Sequence, residues 1–155
     1  MNGGLADLLV AVLAAMLIVA VIGDVRERRI PNWLNGAIAL AAIPFWIASG
    51  LGLAEIGIQI GAALVVFLLF AIAFRFGAMG GGDVKLLAAL ALWLPPLAML
   101  ELLVVMSLAG GALTIAMALR HRLARAEGKL KIPYGVAIAF GGFWLIGERY
   151  LNQFG

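Results

Sequence analysis

The chain has 155 residues, of which 65% are apolar and 12% charged, and its mean hydropathy is strongly positive. A soluble domain of this size needs far more polar surface, so the composition calls for a bilayer. The absence of cysteine excludes disulfides, thiolate metal sites and cysteine nucleophiles, and a single histidine, His121, excludes a histidine-rich metal cluster. The net charge of +3 raises nucleic acid as a partner, but the basic residues are placed as topology signals, and we read no nucleic acid among the partners. No linker or low-complexity tract divides the chain, so residues 1–155 are expected to form one all-α, polytopic transmembrane domain.

A helix crossing a hydrocarbon core of about 30 Å needs roughly 20 apolar residues. Leu5 to Gly23 is the first such stretch, followed by a charged loop from Asp24 to Asn32. Trp33 to Ser49 and Ile56 to Phe74 give a second and a third. From Val84 to Leu119 the only charges are Lys85 near its start and Glu101; the stretch is too long for one span, and Pro95-Pro96 divides it into a fourth and a fifth. A basic loop from Arg120 to Lys131 precedes the sixth, Pro133 to about Tyr150.

Lysine and arginine set the orientation. Arg26, Arg28 and Arg29 follow the first span, Arg75 and Lys85 flank the third connection, and Arg120, Arg122, Arg125, Lys129 and Lys131 follow the fifth span; of the 11 basic residues, Arg149 alone falls elsewhere. Six spans put these three connections on one side, so the expected topology has both termini outside. The first span has its positive charges after it rather than before it, which argues for an uncleaved segment.

Topology also sorts the eight acidic residues. Asp7, Glu55, Glu101 and Glu148 fall toward the outer ends of their spans, where a solvated interfacial carboxylate accounts for them; Glu101 lies about a turn inside the bilayer. Glu27 and Glu127 sit among basic residues in polar loops. Asp24 and Asp83 differ, because one ends an apolar span and the other begins one. As a helix N-cap, Asp83 satisfies orphan amides, and that reading stands beside a catalytic one. Two features favour chemistry. Gly77-Ala78-Met79-Gly80-Gly81-Gly82 precedes Asp83 with almost no side chains, permitting unusual backbone angles and close approach of another chain. Val84 to Leu94, ending at the prolines, makes only about 16 Å of helix, which sinks Asp83 below the interface, where an ionisable group is a functional candidate. Lys85, two residues on, points to nearly the opposite face and is expected to snorkel rather than pair with Asp83.

The remaining features have plainer readings. His121 is a surface residue, and Trp33, Trp46, Trp93, Trp144 and Tyr150 near span ends form an aromatic belt. Gly57 and Gly61, as a GxxxG, and Gly110-Gly111 are expected to serve internal helix packing before substrate docking. Arg26, Arg28 and Arg29 set topology.

Gly80-Gly81-Gly82-Asp83 resembles the GxGD signature of type IV prepilin peptidases. Asp24 with Arg29-Ile30-Pro31-Asn32 resembles that family's first aspartate segment, and Lys131 to Gly135 with Phe140-Gly141-Gly142 resembles its last stretch. The resemblance implies a bacterial inner-membrane aspartic endopeptidase that removes the basic leader of prepilins at the cytoplasmic face. Asp24 and Asp83 would be its catalytic pair, and Gly80, Gly81 and Gly82 its active-site loop. The partners implied are a prepilin, basic leader plus hydrophobic helix, and the bilayer; no metal or other cofactor is implied. Without cysteines or room for the zinc-binding insertion of larger members, the chain is similar to the short peptidase-only members of tight-adherence (Flp) pili, and methyltransferase activity is expected to be absent. Two other readings remain: a non-enzymatic transporter subunit or pilus-assembly scaffold, which would place its carboxylates near mid-membrane, and a relative of the larger GxGD proteases that cut signal peptides, against which the six-span length and Ile30-Pro31-Asn32 argue. The natural pilin, the oligomeric state and the aspartate that holds the shared proton stay open.

Overall fold

The computed structural model describes residues 3–123 and 132–151, and these form six helices. They are α1 (Gly3–Glu27), α2 (Asn32–Ser49), α3 (Leu53–Arg75), α4 (Gly81–Ala91), α5 (Pro96–Leu123) and α6 (Tyr134–Leu151). The chain is therefore all-α, as expected, and α1, α3 and α5 are long and apolar enough to cross a membrane.

The connections follow from local chemistry. α1 ends where Arg28 turns left-handed (φ 54°) and its amide returns to the Asp24 carbonyl at 3.0 Å. Pro31, extended at φ −63° and ψ 142°, starts α2, and its carbonyl accepts the amides of Leu34 and Asn35. Gly50, left-handed at φ 70°, ends α2 with amide bonds from Gly50 and Leu51 back to Ile47 and Trp46. The Glu55 carboxylate accepts the Gly52 amide at 2.7 Å and so caps α3. α4 stops before Pro95 and α5 starts at Pro96, which is the break that the two prolines predict.

The boundaries shift at two places. Asp24 lies in the last turn of α1 rather than in a loop after it, because Val25, Arg26 and Glu27 continue the helix. Arg120, His121 and Arg122 form the last turn of α5 rather than a loop, where the two arginines complement the helix dipole's negative end. Residues 124–131, including Arg125, Glu127, Lys129 and Lys131, lie outside the described residues, as does the side chain of Tyr150.

α4 is the hub. It packs against α2, α3, α5 and α6, while α1 joins α2 to α6 and α5 leans on α6. The fully buried large side chains are Leu17, Leu34, Ile38, Leu86, Leu87, Leu90, Leu102 and Ile138, three of them from α4 and none from α3. Leucine and isoleucine on α1, α3 and α5 instead face outward in numbers that suit lipid. Lipid is as apolar as leucine, so close packing and buried hydrogen bonds must hold the helices together.

Two such bonds correct the aromatic-belt reading. Trp46 and Trp93 are buried, and they cross: the Trp46 indole donates to the Leu92 carbonyl at 2.7 Å and the Trp93 indole to the Ile38 carbonyl at 2.9 Å. They lock α2 to α4, and Trp93 also packs on Phe45 with ring centroids 4.8 Å apart. Trp33 and Trp144 are exposed, as a belt requires. The small-residue expectation divides likewise. Gly110 meets Ala137 and Tyr134 of α6, but Gly57, Gly61 and Gly111 face open space among the described residues.

Candidate active site

Asp24 and Asp83 come from different helices and are both buried, at 5% and 8% exposure. They line one cavity of about 520 Å³ together with the loop from Glu27 to Asn32 and with Gly80, Gly81 and Gly82. A second cavity of about 510 Å³ also reaches both aspartates, bounded by Gly77 to Gly80, Ile132 and Tyr134. The carboxylates thus sit between two openings, close enough for the charge of Asp24 to act on Asp83. Arg28 lines both cavities and adds positive charge beside Asp24.

Asp83 is not an N-cap. Gly80 holds that position and α4 begins at Gly81, which puts Asp83 at the third helical residue. From there its Oδ2 accepts the Gly80 amide at 3.2 Å, so the carboxylate does satisfy the helix start, but by reaching back. Lys85 avoids Asp83, as its spacing predicts. Its side chain is exposed, and its Nζ donates to Asn32 Oδ1 at 2.8 Å, tying α4 to the start of α2.

The glycines are spent on close contact. A Cβ on Gly82 would lie 3.1 Å from Ile30 Cβ and 3.2 Å from the Ile30 carbonyl oxygen, and one on Gly81 would lie 3.3 Å from the Phe74 ring. Gly80 is limited by Asp83 itself, whose Oδ2 would be 2.8 Å away. The close neighbours of this run thus belong to the chain, and they bring Ile30 of the loop after α1 and Phe74 of α3 onto the start of α4.

Two residues were not assigned to the site from the sequence, although Gly135 closes the stretch from Lys131 to Gly135 that carries part of the resemblance. Gly135, in the first turn of α6, lies under Asp24: a Cβ there would be 2.7 Å from Asp24 Oδ2 and 2.8 Å from Ile30 Cδ1. The amides of Gly135 and Val136 point toward this carboxylate, although Oδ2 makes no full hydrogen bond among the described residues. A helix N-terminus suits a negative charge there. Asn35 is the second. It is buried on α2, and its Nδ2 donates to the Gly82 carbonyl at 3.0 Å, fixing the residue before Asp83. A buried asparagine one turn after Ile30-Pro31-Asn32 was the only available signal.

Elsewhere, Glu101 and Glu148 lie side by side, their carboxyl groups within hydrogen-bonding reach across α5 and α6 at the other end of the bundle. No group of three or more His, Asp or Glu side chains forms a metal-binding cluster among the described residues. Two carboxylates beside water can share a proton, so that one takes a proton from water while the other donates to an oxyanion.

No curated protein and no solved structure matches the chain. A family model does match, over residues 11–115, which hold both aspartates and the glycine run. That family is the type IV leader peptidase family, and the chain belongs to it.

Proposed function

We propose that this member of a peptidase family is an intramembrane aspartic endopeptidase that removes the leader of a prepilin at the cytoplasmic face of the bacterial inner membrane. Asp24 and Asp83 activate the water. The observation that carries the reading is the burial of two carboxylates from different helices against one cavity, at a single end of the bundle. In an aspartic mechanism the ionised member takes a proton from water, the water attacks the scissile carbonyl, and the protonated member donates to the developing oxyanion; the proton taken from water then passes to the leaving amine as the C–N bond breaks. Like charges held this close resist ionising together, which maintains the single shared proton.

The remaining parts of the proposal follow from it. The six helices form one domain with both termini outside, so that the basic connections and the aspartates face the cytoplasm. Gly80, Gly81 and Gly82 border the scissile bond of a substrate whose helix has been unwound. The chain acts as a peptidase of the short, Flp-pilus type, without methyltransferase activity and without metal or organic cofactor. A transporter or scaffold would place its carboxylates near mid-membrane, and here they lie at one end.

Asp24→Asn and Asp83→Asn test the reading. Each keeps size and polarity and removes one titrating oxygen. Purified, folded variants should lose leader cleavage of a reconstituted prepilin by at least about a thousandfold in kcat, the scale on which a residue acting as part of a catalytic unit is missed. Cleavage at the wild-type rate by either variant refutes the dyad.

A further inference from the structure

At the end of the bundle opposite the aspartates lies a cavity of about 400 Å³, formed where α2 ends, α3 begins, the α4–α5 turn passes and α6 ends. Its composition is amphiphilic. Phe45, Ile58 and Trp93 give apolar wall, and the polar members are Ser49, Glu55, Gln59 and Arg149.

Gln59 is the telling residue. Its side chain is only 6% exposed, and its Oε1 is buried with no hydrogen-bond partner among the described residues. A buried carbonyl oxygen without a donor carries the full desolvation penalty of the group, so this position asks for an N–H or O–H from outside the chain. Arg149 is the single basic residue that the positive-inside pattern leaves unexplained. Its guanidinium carbon stands 5.6 Å from the centroid of the Phe45 ring, which holds the cation over the cavity wall. Glu55 contributes a carboxylate, one oxygen of which is already engaged by the Gly52 amide.

We propose that this cavity binds the headgroup of an amine-bearing phospholipid from the leaflet at that end. The phosphate pairs with Arg149. The primary ammonium donates to Gln59 Oε1 and is balanced by Glu55, while the acyl chains leave along the apolar wall into the bilayer. The match is in charge order and in hydrogen-bond sense: a cation for the phosphate, an anion and an orphaned acceptor for the ammonium. A choline headgroup supplies the same charges but has no N–H, and so leaves Gln59 unmet.

The full chain is placed in bilayers of phosphatidylethanolamine or of phosphatidylcholine, with equal fractions of phosphatidylglycerol and equal acyl length, and its thermal midpoint is measured. Native mass spectrometry of detergent extracts reads which lipid stays bound. The wild type should retain phosphatidylethanolamine over phosphatidylcholine by about tenfold, the preference that one hydrogen bond to a charged group gives. Its midpoint should rise by about 3 °C in the ethanolamine bilayer. Gln59→Leu removes the orphaned acceptor without leaving a hole, so it folds in the choline bilayer at least as well as the wild type and should lose both the preference and the rise. Arg149→Gln should reduce retention of both lipids. Equal retention by the wild type overturns the proposal. So does a preference or a rise that survives in Gln59→Leu, since that would be a property of the bilayer and not of this cavity.

Discussion

Gly135→Ala isolates the geometry of the aspartate pair from its chemistry. The new methyl carbon would stand 2.7 Å from Asp24 Oδ2, 3.0 Å from Asp24 Cγ and 2.8 Å from Ile30 Cδ1. Unbonded carbon and oxygen settle at about 3.3 Å or more, so the carboxylate must retreat by roughly 0.6 Å. Ile30 Cδ1 is the end of a rotatable side chain and can turn aside, so the contact that decides the outcome is the one with Asp24. A displacement of about 1 Å in catalytic geometry can cost about a hundredfold in rate, so a loss of roughly ten- to a hundredfold in kcat is expected, with a smaller change in KM. Helix propensity works the other way: alanine within α6 favours the helix by about 0.5–1 kcal/mol over glycine, so the fold should survive. The assay is cleavage of a reconstituted prepilin across a range of substrate concentrations, with a thermal midpoint for each protein. A variant with wild-type kcat and an unshifted midpoint would refute the claim that Gly135 is held to glycine by Asp24.

Asn35→Leu removes the donor to the Gly82 carbonyl and also the buried Oδ1 that lacks a partner, so stability should change little while kcat falls by about tenfold as the start of α4 loosens; a rate unchanged at equal expression would show that Asn35 does not position Asp83. Trp93→Phe keeps the ring against Phe45 and loses the bond to the Ile38 carbonyl, which should cost about 1 kcal/mol, read as a lower midpoint in mild detergent. Leu87→Ala opens a hole in the most buried helix and should destabilise the chain by about 2–5 kcal/mol, against less than about 0.5 kcal/mol for Leu64→Ala on the lipid face. Prolonged chelation with EDTA should leave cleavage unaffected, and any loss restored by added divalent cation would contradict the metal-free mechanism.

Much of the candidate site was legible because charge is scarce in this chain. With so few acidic residues, topology set aside the four outer carboxylates, the basic surroundings of Glu27 and Glu127 set aside two more, and the glycine run marked a place of close approach. Helix ends were harder. Nothing in Val25-Arg26-Glu27 halts a helix, and the residue that does, Arg28, adopts positive φ without the glycine that usually signals it. A tryptophan near the end of a hydrophobic run reads as a belt residue, and only the packing of α4 behind α2 turns Trp46 and Trp93 inward. Gly57 and Gly61 have the spacing of a packing motif, yet periodicity does not say which face finds a neighbour. Gly135 is the hardest case. Its reason for being glycine is an oxygen far away in sequence, and no local pattern records such a contact.

α4 has one more consequence, for the order in which the molecule is made. Its 11 residues span about 16 Å, roughly half of the hydrocarbon thickness, it carries an aspartate in its first turn, and the Gly82 and Leu92 carbonyls at its two ends accept bonds from α2. Such a segment has no stable place alone in lipid, where each unsatisfied polar group costs several kcal/mol. It becomes tolerable once α2 offers the Asn35 amide, the Trp46 indole and the Ile38 carbonyl, and α3 and α6 close around it. The helix carrying Asp83 is therefore a late element of assembly. On the proposed dyad, a chain that misfolds before that step would leave its two aspartates apart and so would lack peptidase activity.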